Sequence, residues 1–377
     1  MKDNIARQQA SYLAAHGTPM PPSTLTHTLS TCLALQALFF EDCPTSTPSP
    51  CHSHLHELSY WQSLCPTLTL CPGTLLPVPH CPALPSPLPS VPCTLPTLGY
   101  TLGAPPTPAT LALCAALRPA LACLRQAGLP PIFLLIYDQA WELLASGWPH
   151  SLLGPCTMEA DMYAWALCGG GGIGGSGFSA SHRDQAYSAC HDSAGSPTSL
   201  TVWLPFNASG AGAHNGAMCV LPIPADDFFF SPAHPSHMRT ALSLASAREA
   251  AAEEGAGDPV HTLAAPAGQA CLWSPALIHW GGAAAPGSSD PRCSLAVTFR
   301  AAHAPPSCFG AEAAEAAAAA GEEGRALLPP PPGPPPIALA SYGATLTLAR
   351  RLAYVSKGIL AYSHWHPGMP DLDIAAQ

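Results

Sequence analysis

The chain has 377 residues, a formal net charge of −10, 46 prolines, 48% hydrophobic residues and only 10% charged residues, where about 25% charged is usual. Its only lysines are Lys2 and Lys357, so no basic surface can neutralise a run of phosphates, which argues against nucleic acid as a partner. The length allows one large core or two modest ones, with irregular segments between them.

The N-terminal stretch MKDNIARQQASYLAAHG has no apolar core behind a basic start, so no secretory signal is expected. A reducing, intracellular and cytoplasmic setting is expected. Asp3 weakens an organelle-targeting peptide without excluding one. Leu33, Leu35, Leu38 and Phe39 cluster with helical patterning before Glu41-Asp42. Residues 44–117 then contain sixteen prolines and one charged side chain, Glu57. Prolines at that density remove amide donors and fix φ, so a long loop is expected there, with neither a helix nor a central strand passing through. Residues 1–108 therefore read as an N-terminal region, partly disordered from about residue 44.

From Ala109 to Gly128 an Ala/Leu-rich stretch ends at a glycine, which predicts a helix with a C-cap. After Pro130-Pro131, Phe133, Ile136, Tyr137, Ala140, Trp141 and Leu144 follow helical spacing and predict a second, amphipathic helix. Residues 161–167 predict a strand. The glycine run from Gly169 to Gly177 predicts a turn and lacks the Lys-Ser/Thr that a phosphate loop needs. Short strands are then expected at 178–184, 200–206, 217–223, around 270–273, and 295–300, with turns such as Asn207-Ala208-Ser209-Gly210 and Asn215-Gly216 between them. Many short strands with such punctuation mean a sandwich or barrel. A helical insertion is expected between Ser231 and Gly257.

Residues 311–328 are Ala/Glu-rich, Pro329–Pro336 form a polyproline spacer, and residues 342–362 return to helical patterning, expected to dock back on the body. Residues 109–310 thus form the main domain and 311–377 a C-terminal extension. The chain contains sixteen cysteines and no C-x-x-C pair, which argues against a structural zinc or a dithiol centre. Apolar runs such as Ile132–Ile136 are too short to cross a bilayer, so no membrane span is expected.

The chemistry concentrates in Ser181-His182-Arg183-Asp184. In a strand, His182 and Asp184 share a face while Arg183 points away. A third ligand from a distant strand would complete two histidines and a carboxylate, the facial set that holds non-heme Fe(II) with open positions. His279, 95 residues after Asp184 and before Trp280-Gly281-Gly282, is that candidate. On the last strand Arg292 and Ser294 share a face, opposite Leu295, Val297 and Phe299, and two readings stand side by side: a carboxylate clamp made by the pair, or a surface salt bridge of Arg292 with Asp290 or a nearby acid. Arg300 shares that face but lies roughly 26 Å away at strand rise. His191-Asp192 is a second pair, but adjacent strand residues face opposite ways, so it is the poorer claw.

The order His-x-Asp, Leu-Thr-Val-Trp-Leu-Pro-Phe, Asn-Gly-Ala-Met-Cys-Val-Leu-Pro, Ile-His-Trp-Gly-Gly and Arg-x-Ser resembles the phytanoyl-CoA dioxygenase family of Fe(II)/2-oxoglutarate oxygenases over about residues 130–300. The resemblance implies a mainly β fold with flanking helices around a double-stranded β-helix, or cupin-like jelly-roll. It implies Fe(II) on His182, Asp184 and His279, the distal carboxylate of 2-oxoglutarate on Arg292 with Ser294, and Trp203 beside that cosubstrate. It further implies O2 as oxidant and hydroxylation of a small or lipid-like substrate, with release of succinate and CO2. The chain departs from the family pattern at Arg183, Asn207 and Trp280. The alternatives are a catalytically silent jelly-roll that binds a small acid or a partner, and a metal-dependent hydrolase. Oligomeric state is left open.

Overall fold

The computed structural model describes residues 55–71, 73, 94–127, 129–146, 149–167, 181–285, 288, 290–304 and 345–362. Among them, eight antiparallel strands form two sheets. The five-stranded sheet has the order β1-β6-β3-β8-β2, with β1 Tyr100–Leu102, β2 Cys156–Leu167, β3 Ser199–Pro205, β6 Cys271–Trp273 and β8 Arg292–Ala301. The three-stranded sheet has the order β5-β4-β7, with β4 Met218–Leu221, β5 His261–Leu263 and β7 Ile278–Gly281. The helices used below are α1 Leu58–Leu64, α2 Pro108–Gln126, α3 Asp138–Ala145, α4 Thr240–Glu253 and α5 Leu348–Tyr362.

Side-chain alternation divides the five-stranded sheet into two faces. Leu295, Val297 and Phe299 of β8, with Leu200, Val202 and Leu204 of β3, enter a large apolar core shared with α2, α3 and α5. The opposite residues, Arg292, Ser294, Ala296 and Thr298 of β8 with Thr201 and Trp203 of β3, line a cleft. β2 carries an irregularity: Met158 pairs with Phe299 and Met162 with Val297, so Glu159, Ala160 and Asp161 stand against Thr298 alone. Two extra residues preserve a period of two, so Met158 and Met162 both stay in the core. The wider β2, beginning at Cys156, was not legible because Glu159 interrupts its apolar pattern. That carboxylate is buried against the guanidinium of Arg300.

Several expectations are corrected. The proline-rich stretch contains a helix, α1, and its Tyr100–Leu102 segment is an edge strand paired with β6. What anchors α1 is apolar: Trp61 is fully buried, stacked on Phe133 at 5.3 Å, with its Nε1–H donated to the Leu55 carbonyl. Residues 131–145 are two elements, a 3-10 helix Pro131–Ile136 and α3, divided at Tyr137, whose backbone is extended. Ile132 to Ile136 are all buried, so this segment has no polar face to turn to water. Of the strand expected at 178–184, residues 181–184 hold a single bridge at His182 with Asp184 in a bend, and residues 178–180 lie outside the described residues. The glycine run Gly169–Gly177, the early helix around Leu33–Phe39 and residues 311–336 lie outside the described residues.

α2 has the length and mean hydropathy, 1.2, of a membrane-crossing helix, which corrects the expectation that no stretch is long enough. It carries Arg118 and Arg125, and Thr110, Cys114, Leu117, Ala120 and Leu124 form one buried stripe on the core. α5 docks beside β2 and the 3-10 helix, where Gly358 allows close approach: a Cβ there would collide with Ile132. The docking is locked by Arg351, fully buried, which donates to the carbonyls of Leu346 and Ile136 and pairs with Asp138. Asp138 also accepts from the Cys71 amide at 3.0 Å, so one carboxylate joins three distant segments.

Candidate functional site

Strand β7, an isolated bridge and a bend bring three side chains together. His182 and His279 form an antiparallel bridge, each amide donating to the other's carbonyl at 3.0 and 2.9 Å. Paired residues in such a bridge project to the same side, and the two imidazole centroids lie 4.2 Å apart. Asp184 joins them: its Oδ1 is 3.6 Å from His182 Nε2 and 3.5 Å from His279 Nε2. These separations exceed hydrogen-bond length. They suit ligands around a common point, since neighbouring ligand atoms on a metal with bonds of about 2.1 Å sit about 3 Å apart.

Across the set, one ligand atom from each of His182, Asp184 and His279 lies within 4.8 Å of the others. Among the described residues this is the group of histidine, cysteine and acidic side chains that can hold a metal ion. The surrounding bonds orient it. His279 Nδ1 lies 3.0 Å from the Leu277 carbonyl, which fixes Nδ1 as the protonated nitrogen and leaves the Nε2 lone pair for a metal. Asp184 Oδ2 accepts from the Thr201 hydroxyl at 2.7 Å. The donor set, two neutral imidazoles and one carboxylate, fits a non-heme metal of the Fe(II) type.

The cleft beside these ligands is lined by Trp203, Trp273, Arg292, Ser294 and Asp161, among others, and opens to solvent on one side. Arg292 is 3% exposed. Its Nη1 donates to the Gly282 carbonyl at 3.0 Å and more weakly to Ala217 at 3.4 Å. Gly216, with φ +80°, makes room for it: a Cβ there would meet the Gly282 carbonyl and come within 2.9 Å of Arg292 Nη1. No carboxylate among the described residues pairs with this guanidinium. Burial pushes its pKa down to about 10, which leaves it charged at neutral pH. Ser294 Oγ and Trp273 Nε1 are buried in the same cleft without a hydrogen-bond partner. A buried cation and two unsatisfied donors are costly unless something accepts from them. A dicarboxylate is chemically suited to that demand.

Every candidate site residue is therefore placed. His182, Asp184 and His279 converge, and Arg292, Ser294 and Trp203 line the same cleft. Arg183 points away from the ligands into a buried lock: Nε donates to the His237 carbonyl at 2.7 Å and Nη2 to Asp226 at 3.0 Å. Asn207 receives the Cys293 amide and donates to Gly210, closing the turn below Arg292. His191 stacks on Tyr187 at 3.9 Å and Asp192 accepts from the amides of Ala194 and Ser196, so that pair shapes a turn. Thr201, Trp273 and Asp161 escaped the sequence reading. Thr201 and Trp273 sit inside apolar-looking strands, and the faces they occupy become visible only from the register Thr201↔Trp273.

No protein-family model matches the chain, and no curated protein matches it in sequence. Solved structures similar to it include AviO1 from Streptomyces viridochromogenes Tue57, at 15% identity over 56% of this chain and 94% of that chain, with a TM-score of 0.39. EctD from S. alaskensis with bound Fe is 16% identical over 55% of this chain and 74% of that chain, with a TM-score of 0.38. The epimerase SnoN in complex with Fe3+, alpha ketoglutarate and nogalamycin RO is 18% identical over 67% of this chain and 93% of that chain, with a TM-score of 0.35. Likeness at this level leaves the functional reading to the residues of the cleft.

Proposed function

We propose that the chain is an Fe(II)- and 2-oxoglutarate-dependent oxygenase, similar to the phytanoyl-CoA dioxygenase family, that hydroxylates a small or lipid-like organic substrate. On this reading the two sheets are the walls of a double-stranded β-helix. The observation that carries it is the conjunction in one cleft of a His-Asp-His set and a buried guanidinium with no carboxylate of its own.

His182, Asp184 and His279 would hold the iron, with His279 presented through Nε2 because its Nδ1–H is committed to the Leu277 carbonyl. When bound, Fe(II) with 2-oxoglutarate and O2 supplies the oxidising chemistry, coupling cosubstrate decarboxylation to succinate with oxygen insertion into a C–H bond. The protein's share is placement. Arg292 offers a planar fork to the distal carboxylate, and Ser294 Oγ adds a donor. Trp203, 3% exposed, provides an apolar wall beside it. Because Arg292 is already desolvated and held by backbone carbonyls, little reorganisation is needed when the anion arrives.

The test is succinate formation from 2-oxoglutarate by the full chain with Fe(II) and O2 across a panel of small and lipid-like substrates. Succinate above the level of Asp184→Ala is expected. No succinate above that control with any substrate, together with no iron retained, would overturn the reading.

A further inference from the structure

We infer that Thr201 is a positioning residue for the metal-ligating carboxylate: by donating to Asp184 Oδ2, it commits Oδ1 alone to the ion. This rests on the reading of His182, Asp184 and His279 as a metal site and goes beyond it, because nothing in the ligand pattern assigns Thr201 a part.

The argument starts from where Thr201 stands. It is the third residue of β3, a strand buried along its whole length and hydrogen-bonded on both sides, with Thr201 facing Thr298 of β8 and Trp273 of β6. A β-branched side chain on such a strand has few rotamers, so its hydroxyl is held where the backbone puts it. That hydroxyl is 2.7 Å from Asp184 Oδ2, while the imidazole nitrogens of His182 and His279 lie 3.6 and 3.5 Å from Asp184 Oδ1. The two oxygens of one carboxylate are therefore split between a protein donor and the ligand cluster.

Asp184 itself has no regular backbone to steady it. It lies in a bend, after the isolated bridge at His182. Its neighbour Gln185 is tied down by a hydrogen bond from its backbone N–H to the Pro275 carbonyl and by weak side-chain contacts with Ser199 and Arg300, but these act on the chain and leave the carboxylate free to rotate. Thr201 supplies the missing constraint. Without it the carboxylate can present either oxygen, or both, and a bidentate carboxylate would occupy a coordination position that 2-oxoglutarate needs. A charge-assisted bond to a ligand oxygen is of the kind whose loss typically costs 10–100-fold in metal affinity.

The experiment is calorimetric titration of the metal-free full chain with Co(II), a redox-stable probe, for wild type, Thr201→Val, Thr201→Ser and Asp184→Ala. Thr201→Val keeps the shape and removes the donor, and is expected to weaken Co(II) binding about tenfold or more. Thr201→Ser keeps the donor and is expected to stay within about threefold of wild type. Metal-free melting temperatures separate positioning from folding, and Thr201→Ala replaces the valine variant if that one does not melt cooperatively. Valine binding equal to wild type, or serine as weak as valine, overturns the proposal. If wild type and Asp184→Ala take up Co(II) alike, the metal reading of the three ligands falls, and the role of Thr201 with it.

Discussion

Four arginines are buried in the described part of this protein, and they divide into two kinds. Arg183, Arg300 and Arg351 each meet a buried carboxylate, Asp226, Glu159 and Asp138 respectively. Arg292 meets only backbone carbonyls and faces the cleft. The first three lock the scaffold: Arg351 ties α5 to α3, Arg300 ties β8 to the register shift of β2, and Arg183 ties the segment carrying His182 and Asp184 to the stretch after β4. Their charges are answered within the fold. The fourth is desolvated at similar depth with no anion beside it among the described residues, which is what supports the proposal that its counter-ion comes from outside.

Stability separates the two kinds most strongly. Glu159→Ala or Asp138→Ala leaves a guanidinium buried and unpaired, and is expected to cost about 3–5 kcal/mol in denaturant unfolding. Arg292→Ala removes a charge that has no ion-pair partner, and is expected to change stability by only about 1 kcal/mol. A loss at Arg292 as large as at Glu159 would erase the distinction.

Affinity should reverse that order. Arg292→Ala is expected to weaken 2-oxoglutarate binding about 100-fold, from the loss of charge-assisted bonds of about 1.5–3 kcal/mol each, with Co(II) affinity largely kept. Arg292→Lys should recover only part, since a point charge cannot form the parallel pair. Equilibrium binding of 2-oxoglutarate to the Co(II) protein checks both.

The pH dependence sharpens the contrast further. The Arg292 pKa falls from its usual 12.5 to about 10 through burial. Because the unfolded chain holds more protons between those values, this group makes stability rise with pH across that window. Binding runs the other way: the thermal stabilisation conferred by 2-oxoglutarate is expected to be full below about pH 10 and to fade above it. In Arg292→Gln that pH-dependent part should be missing.

The smallest effect concerns the Arg183 lock. His237 is fully buried, donates Nδ1–H to the Phe228 carbonyl at 2.7 Å and accepts the Tyr187 amide at Nε2. Burial lowers its pKa, so it stays neutral when folded. The groups facing it include Arg183, which lowers it further, and Asp226, which raises it. Its contribution is therefore present above the ordinary histidine value of 6.5 and lost as pH falls through the lowered one. Protection of the Tyr187 amide against hydrogen exchange, measured relative to its intrinsic rate at each pH, should fall on acidification, and not in His237→Gln.

What the sequence made legible follows the same division. His182 and Asp184 stand two apart, Arg292 and Ser294 likewise, and alternation alone assigns each pair a face. The partners of the locking arginines lie 43, 141 and 213 residues away, and no local period connects them. Arg183 was thus legible only as facing away from the ligand pair, and Arg300 only as too far along the strand to join Arg292. The proline-rich stretch misled for a related reason: proline density speaks to local hydrogen bonding, whereas α1 is held by the long-range burial of Trp61 against Phe133. Thr201 was hidden because a threonine within Leu-Thr-Val-Trp reads as strand propensity until the Asp184 carboxylate is placed beside it.

The central claim is that one cleft takes a metal on three protein ligands and a dicarboxylate on Arg292. The most direct measurement is an anaerobic titration of the Fe(II)-loaded chain with 2-oxoglutarate, followed by the visible charge-transfer absorption of the keto acid on iron. The account predicts a saturable band at one equivalent of iron in wild type, its absence in Asp184→Ala, and saturation at about 100-fold higher 2-oxoglutarate in Arg292→Ala. A band that persists in Asp184→Ala, or that saturates identically with and without the guanidinium, would contradict it.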